Sequence, residues 1–130
     1  MGKGGRPMSK TVMLNTILRF YHSPGDYVMP AKHSGIELVF YREGTGTTII
    51  DGILYEYGPN SLAVIQPDTT HDETTITSSD VLFCIFDAGE EAVSGESAFY
   101  RDKGMVTADI YDLMCRIESE MKLKQIHYEE

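Results

Sequence analysis

The sequence predicts an all-β domain, a small barrel or sandwich, that carries one amphipathic helix at its C-terminal end. Three observations predict it. Residues 11–87 consist of short apolar and β-branched segments separated by turns rich in Gly, Pro, Asn and Asp. Residues 88–107 change to a loop rich in Gly, Glu and Ser, and residues 108–130 begin with apolar residues at helical spacing. Residues 1–10 combine glycines, a proline and cations without periodicity, which predicts a flexible N-terminal arm.

Size and charge restrict the function classes. The chain has 130 residues, 42% of them hydrophobic, which is enough for one domain with its own core. Twenty Asp and Glu against eleven Lys and Arg give a net charge of −9, which argues against direct binding to nucleic acid. The longest apolar run, residues 81–86, is far shorter than the roughly 18 residues of a membrane span. Cys84 and Cys115 show no CxxC spacing and no leader cleavage site is visible, so a cytoplasmic protein is expected.

Turn residues bound each predicted strand. Asp51-Gly52 is the strongest local signal, because both residues accept the positive φ angles of a type I′ hairpin turn. Asn60 ends the next turn and tolerates the left-handed conformation. Residues 81–86 are apolar at every position, which predicts a central strand covered on both faces. The predicted strands are residues 11–21, 36–42, 47–50, 53–57, 61–65, 71–77 and 80–87.

A helix is predicted over residues 108–124. Acidic residues lie near its start and lysines near its end, as the helix dipole favours. One apolar stripe runs along it at i, i+3, i+4, i+7 and i+11, formed by Ile110, Leu113, Met114, Ile117 and Met121. Such a stripe suits either a core face or a dimer seam. We expect a seam between two copies of the chain that is shared with the outer face of the barrel.

Two imidazoles and one carboxylate are the candidate chemical groups. His33 and Glu37 flank the start of one predicted strand, and His71 begins another directly after a proline turn. A spacing of four residues lets His33 and Glu37 point to the same face of an extended chain, although it suits a helix as well. A buried Glu37 needs a partner, because it stands among Ile and Leu in a strand.

Two stretches resemble the motifs of the cupin superfamily. Residues 31–44, which read Ala-Lys-His-Ser-Gly-Ile-Glu-Leu through to Gly44, look like the first motif, in which HxH is followed by Glu and then Gly. Residues 60–71 look like the second, in which Gly opens a strand that ends in Pro and His. The resemblance covers about residues 32–87 and implies a cupin-type double-stranded β-helix, the jelly-roll barrel. With the hairpin and the C-terminal helix, the chain is most similar to the ligand-binding and dimerisation domain of AraC-family transcription regulators.

Two positions depart from the cupin motifs. Ala31 stands where the first His is expected, and Asn60 stands where the second motif has Gly. The set that remains, His33, Glu37 and His71, could still hold one divalent metal, Fe, Mn, Ni or Zn. The AraC-type sensors that the chain resembles generally do without a metal. No cofactor is therefore expected, with a metal site as the alternative.

Strand alternation extends the candidate site. If Glu37 faces the barrel interior, Tyr41 does so four residues later, and Glu73 follows His71 inward. Phe83 or Cys84 then covers the pocket from the next strand. The predicted ligand-binding residues are His33, Glu37, Tyr41, His71, Glu73 and Phe83.

The resemblance implies a sensor that is not an enzyme. The expected ligand is a small polar molecule such as a sugar, the expected partner is a second copy of the chain, and DNA would be reached only through a domain outside this chain. No membrane partner is expected. Two alternatives stay open, namely a small metal-dependent cupin oxygenase or isomerase that uses His33, Glu37 and His71, and a stand-alone carbohydrate-binding cupin.

Overall fold

A computed structural model of the chain describes residues 12–87, 95–102 and 104–129. The N-terminal arm predicted over residues 1–10 lies outside the described residues. Within them, nine strands precede one helix. The elements are β1 (Met13–His22), β2 (Tyr27–Ala31), β3 (Ile36–Glu43), β4 (Gly46–Ile50), β5 (Ile53–Tyr57), β6 (Ser61–Ile65), β7 (His71–Thr75), β8 (Ser79–Asp87), β9 (Ala98–Tyr100) and α1 (Met105–Glu129).

The strands form two antiparallel sheets, one with the order β1-β8-β3-β6-β9 and one with the order β2-β7-β4-β5. The β4–β5 hairpin turns at Asp51-Gly52 with φ angles of 52° and 82°, and Ile50 pairs with Ile53 across it. Asn60 has a φ of 65°. Both turn predictions are thereby confirmed, since these residue types accept positive φ at low cost.

Alternation along the strands of the five-stranded sheet produces two apolar clusters. The inner cluster lies between the two sheets and contains Val39, Ile65 and Val81. The outer cluster contains Phe40 and Leu82, one residue further along β3 and β8, and packs against Met114 of α1. Strand β8 is therefore covered on both faces, as its uninterrupted apolar run predicts.

Arg19 adds polar contacts to the apolar packing between the helix and the barrel. Arg19 of β1 forms ion pairs with Asp80 of β8 at 2.8 Å and with Glu118 of α1 at 3.2 Å. Its guanidinium also donates to the Tyr111 hydroxyl at 3.0 Å and lies over the Tyr111 ring. These contacts join two strands and the helix at a single side chain.

Three local expectations need correction. Strand β2 was not predicted, because all five of its residues are exposed, it contains Pro30, and a bulge interrupts its pairing with β7. Strand β9 and the start of α1 lie in the segment predicted as a loop over residues 88–107. β9 is too short to show alternation, and α1 begins early because the Asp102 carboxylate accepts a hydrogen bond from the Gly104 N–H at 2.8 Å.

Across the part of the chain described, no helix combines the length and the apolar character that crossing a membrane requires.

Candidate functional site

A cavity of about 500 Å³ lies inside the barrel. We refer to it as the barrel cavity. Its walls come from β1, β2, β3, β7 and β8, so both sheets contribute. Most of the wall is apolar, and the apolar lining residues are Phe20, Val28, Ala31, Val39, Val81, Phe83 and Ile85. The polar groups are three histidines, two glutamates and one threonine, namely His22, His33, His71, Glu37, Glu73 and Thr16. An apolar cavity with a few placed polar groups is typical of a small-molecule site.

Glu37 is the centre of the polar part of the cavity. It lies in β3 between two apolar register partners, Ile65 of β6 and Ile85 of β8, and is only 6% exposed. Its Oε1 is 3.3 Å from His71 Nε2 and 3.5 Å from His33 Nε2. These are ion-pair distances, but no donor among the described residues is aligned to form a hydrogen bond with this oxygen. A buried carboxylate oxygen thus faces the cavity without a hydrogen bond.

One backbone hydrogen bond and one left-handed turn residue bring the histidines to Glu37. The Asp68 N–H donates to the His33 carbonyl at 2.7 Å, which ties the loop before β3 to the proline turn before β7. Asp68 takes a positive φ of 59° in that turn. The imidazole rings of His33 and His71 consequently lie with their centroids 5.8 Å apart. His33 is at the exposed end of the cavity and His71 is buried.

His71 is held as a cation more readily than an ordinary histidine. Burial acts to lower its pKa, but the Glu37 carboxylate opposes this more strongly, and the pKa of His71 is raised overall. This direction of the pKa shift is the one expected for an ion pair inside the barrel, because the negative charge of Glu37 stabilises a proton on His71.

Glu73 is the second carboxylate of the cavity, and Tyr41 positions it. The Tyr41 hydroxyl donates a hydrogen bond to Glu73 Oε2 at 2.5 Å. Burial raises the pKa of Tyr41 well above its ordinary value, so this hydroxyl stays protonated and acts as the donor. Burial and the nearby charge of Glu37 raise the pKa of Glu73, while the bond from Tyr41 opposes the rise.

Five of the six predicted ligand-binding residues line the cavity: His33, Glu37, His71, Glu73 and Phe83. The expectation for Tyr41 needs correction. Its ring faces the interior as alternation predicts, but it is fully buried beneath the cavity, stacked on Tyr57 at 4.0 Å, and acts through Glu73. Of the two residues considered on β8, Phe83 faces the cavity and Cys84 packs outward in the cluster under α1.

The lining residues that were not predicted include Phe20 and His22. Both lie on β1, and their rings are 5.8 Å apart. Period-two alternation carried along β1 as far as its turn would have placed them on the same face. The rings of Phe20 and Phe83 stack at 5.7 Å, so the two strands form one aromatic wall.

Comparison with known proteins identifies the fold. No protein-family model and no curated protein matches the sequence. Among solved structures, a conserved Streptococcus pyogenes protein of unknown function is 14% identical, with a TM-score of 0.54 over 63% of this chain and 79% of that one. KdgF from Halomonas sp. is 12% identical, with a TM-score of 0.52 over 68% and 78% of the two chains. Oxalate decarboxylase from Bacillus subtilis is 16% identical, with a TM-score of 0.52, but the match covers 58% of this chain and only 22% of the decarboxylase.

The fold is the cupin β-barrel. The predicted fold class, an all-β cupin barrel with one C-terminal helix, is confirmed. Likeness at this level of identity concerns the fold alone.

Ala31 stands where the first cupin motif has its first histidine, and the structure shows where this side chain lies. Ala31 lines the barrel cavity from β2 and pairs in register with His71. A bulge between Val28 and Ala31 resets the alternation of β2, so both residues face the cavity despite their odd spacing. A methyl group therefore occupies the position where the first motif of the superfamily has its first histidine.

The set that remains is compatible with a metal ion. Donor atoms of His33, Glu37 and His71 all lie within 4.8 Å of one another. Ligand bonds of about 2.1 Å at angles near 90–110° separate two donors by about 3.0–3.4 Å. The separations of Glu37 Oε1 from His71 Nε2 and from His33 Nε2, 3.3 Å and 3.5 Å, are close to this range. One carboxylate and two imidazoles would leave open coordination positions toward the cavity.

The predicted helix stripe divides between two surroundings. Ile110 and Met114 pack against the outer cluster of the barrel, and Met114 is only 2% exposed. This corrects the expectation that Met114 contacts a partner, because the barrel already covers almost all of its surface. Leu113 is 56% exposed and Met121 is 40% exposed, while Ile117 is half-buried. The side chains of one apolar stripe differ in exposure in this way when a helix lies on a curved barrel surface.

Proposed function

We propose that the chain is a small-molecule sensing and dimerisation domain of an AraC-type transcription regulator, and that it binds a small polar ligand such as a sugar in the barrel cavity. One observation carries the proposal. A cavity of about 500 Å³ with mainly apolar walls contains a buried carboxylate oxygen, Glu37 Oε1, that has no hydrogen bond within the described residues. That volume is in the range of ligand sites in proteins.

The unsatisfied oxygen favours a ligand with hydrogen-bond donors. A buried acceptor without a donor destabilises a folded protein by about 1–3 kcal/mol. A hydroxyl group placed between Glu37 and the two histidines would supply the missing donor and would accept from an imidazole N–H. The aromatic wall of Phe20 and Phe83 offers flat apolar contact to the rest of the ligand.

The position of α1 supports a sensing role. Glu37 and Val39 face the cavity from β3, while Phe40 on the same strand packs under α1 against Met114. A ligand that moves β3 or β8 therefore acts directly on the surface that supports the helix. It changes the helix position only if it binds the two arrangements with different affinity. Leu113 and Met121 are the exposed members of the predicted apolar stripe of α1, and a second copy would bind through them. DNA would be bound by a separate domain.

A ligand screen with a cavity-blocking variant tests binding. We expect one or more of a set of sugars, polyols and amino sugars to raise the melting temperature, since ligand binding to the folded state stabilises it. Ala31→Leu extends into the cavity and should abolish the shift. Ala108→Leu, the same change on the exposed surface of α1, is the matched control and should retain it. A ligand that shifts both variants equally would refute binding in the cavity.

Sedimentation tests the sensing role. The protein at tens of micromolar should form dimers, and Leu113→Glu should disrupt them without changing the melting temperature of the monomer. The bound ligand should change the dimer dissociation constant. A monomer that stays monomeric with and without ligand would contradict the regulator role, and a stand-alone carbohydrate-binding barrel would then be favoured.

A metal-dependent enzyme is the second candidate, favoured by the donor separations at His33, Glu37 and His71. Another structure of the Bacillus subtilis decarboxylase, with a TM-score of 0.51 to this chain, is described by its Mn(II) centres. A metal here would polarise a bound oxygen atom, while Glu73, held in place by the Tyr41 hydroxyl, would orient the substrate. Metal analysis of purified protein should find about one equivalent of Fe, Mn, Ni or Zn if this candidate is right, and Glu37→Gln should lose it. A barrel that binds ligand after chelation would favour the sensor.

A further inference from the structure

The barrel cavity holds two carboxylates and no permanently cationic side chain. Glu37 and Glu73 both line it, and none of its described lining residues is Lys or Arg. Arg19 of the neighbouring β1 is engaged on the outer side of the barrel by Asp80 and Glu118. A carboxylate or phosphate ligand would therefore meet two like charges, with no guanidinium or ammonium to bind it.

The described residues offer the two carboxylates few donors. Glu37 Oε1 lies 3.3 Å from His71 Nε2 without an aligned hydrogen bond. The hydrogen bond that Glu73 receives comes from Tyr41, a neutral donor. Both carboxylates line a cavity with largely apolar walls, where a carboxylate is stabilised by a partner of opposite charge.

The aromatic wall adds a second preference. Phe20 and Phe83 stack with ring centroids 5.7 Å apart and line the same cavity as the two glutamates. The faces of aromatic rings attract cations, and they attract them more strongly where water is excluded. Both the carboxylates and the rings therefore favour positive charge on the occupant.

We propose that the ligand of the barrel cavity carries a protonated primary amine, as an amino sugar does, and that Glu73 and Glu37 bind this amine. The inference rests on the proposed binding function of the cavity and names the class of its ligand. An ammonium group brings three N–H donors and one positive charge. It therefore supplies a hydrogen-bond donor to Glu37 Oε1, contacts Glu73, and brings a positive charge to a cavity whose described lining contains two glutamates and neither Lys nor Arg. A hydroxyl group brings one donor and no charge.

Matched ligands that differ only in charge test the inference. Two sets of three serve as probes: glucosamine, glucose and glucuronate, and benzylamine, benzyl alcohol and benzoate. Dissociation constants are measured by NMR titration of chelator-treated protein at pH 7.5. In each set we expect the amine to bind at least about tenfold tighter than the neutral member, because hydrogen bonds to charged groups are the stronger ones. The acid should bind most weakly.

The role of Glu73 in binding the amine is tested by a glutamine at this position, which has the same shape but no charge. Glu73→Gln retains an oxygen that accepts from the Tyr41 hydroxyl, so the fold is expected to persist. It should weaken binding of the amine more than binding of the neutral member, so that the ratio of their two dissociation constants moves toward one while Glu37 retains part of the preference. Glu56→Gln, at an exposed glutamate outside the cavity, is the matched control and should keep the amine preference.

Each possible result of these titrations contradicts a different part of the account. Tighter binding of a neutral or acidic member than of the amine overturns the inference and leaves the proposed function standing. An amine preference that is as large in Glu73→Gln as in the unchanged protein overturns the role assigned to Glu73. Failure of all six probes to bind counts against the proposed function itself.

Discussion

The hydrogen bond between Tyr41 and Glu73 gives the sharpest prediction about the interior of the barrel. Tyr41→Phe removes one oxygen from a fully buried ring and leaves the apolar packing in place. The lost bond, 2.5 Å long, runs to a carboxyl group. Hydrogen bonds to charged groups contribute about 1.5–3 kcal/mol, so we expect a loss of about that size in the free energy of unfolding at pH 8.

The neighbouring ring supplies a matched control. Tyr57 stacks on Tyr41, and its hydroxyl bonds to the neutral Ser79 hydroxyl at 2.9 Å. Tyr57→Phe should therefore reduce stability by about 0.5–1.5 kcal/mol, the range for a neutral pair. Tyr100→Phe, at an exposed ring, should leave stability unchanged. The order of the three variants is thus set by the charge and burial of the hydrogen-bond partner.

The free energies of unfolding of all three variants are measured by urea unfolding followed by circular dichroism. The slope of free energy against urea concentration should be the same for each variant, which shows that the unfolding transition itself is unchanged. Near pH 5 the excess loss in Tyr41→Phe should shrink, because the raised pKa of Glu73 leaves more of this carboxyl neutral there. If Tyr41→Phe is no more destabilising than Tyr57→Phe at pH 8, the reasoning about a charged partner for Tyr41 is refuted.

Three further outcomes are expected. Arg19→Met should lower the free energy of unfolding by about 1–3 kcal/mol, because two partly buried carboxylates lose their cation. The same change at Arg116, which is exposed on α1, should cost about 0.5 kcal/mol or less. Equal losses of the two variants in urea unfolding would argue against the role of Arg19 in holding the helix. The pKa of His71 is raised in the folded protein, so His71 should stabilise the fold at a pH below the ordinary histidine pKa and lose this effect as the pH rises through the folded-state pKa. Glu37→Gln should flatten this pH dependence of the melting temperature between pH 5.5 and 8.5. A slope that persists in the variant would show that other groups cause it. Ala31→His, which restores the first motif histidine beside His71, should tighten Zn²⁺ binding at least about tenfold in calorimetric titration, because a fourth ligand completes a tetrahedral set; unchanged affinity would show that position 31 does not face the ion.

Sequence patterns predict most of the barrel, because its strands alternate clearly and its turns use residues with distinctive φ preferences. The Asp51-Gly52 hairpin and the two-faced strand at residues 81–86 both follow from local chemistry. Strand β2 could not be predicted in this way. Its register partner β7 comes more than forty residues later, and Pro30 and a bulge hide its alternation.

The site was predicted in part for a similar reason. His33, Glu37 and His71 could be selected by residue type and by their places beside turns, and alternation added Glu73 and Phe83. The depth of Tyr41 could not be inferred, because its burial depends on Tyr57, a residue of the opposite sheet. Period-two alternation predicts on which face of the sheet a side chain lies. It does not predict how deeply that side chain is buried beneath the cavity.

A structure with a bound probe tests the central claim most directly. Crystals soaked with the tightest-binding member of the two probe sets should show it inside the barrel, within hydrogen-bond distance of Glu37 and of one or both of His33 and His71. A probe found on the outer surface, or these three side chains turned away from a common space, would contradict the account.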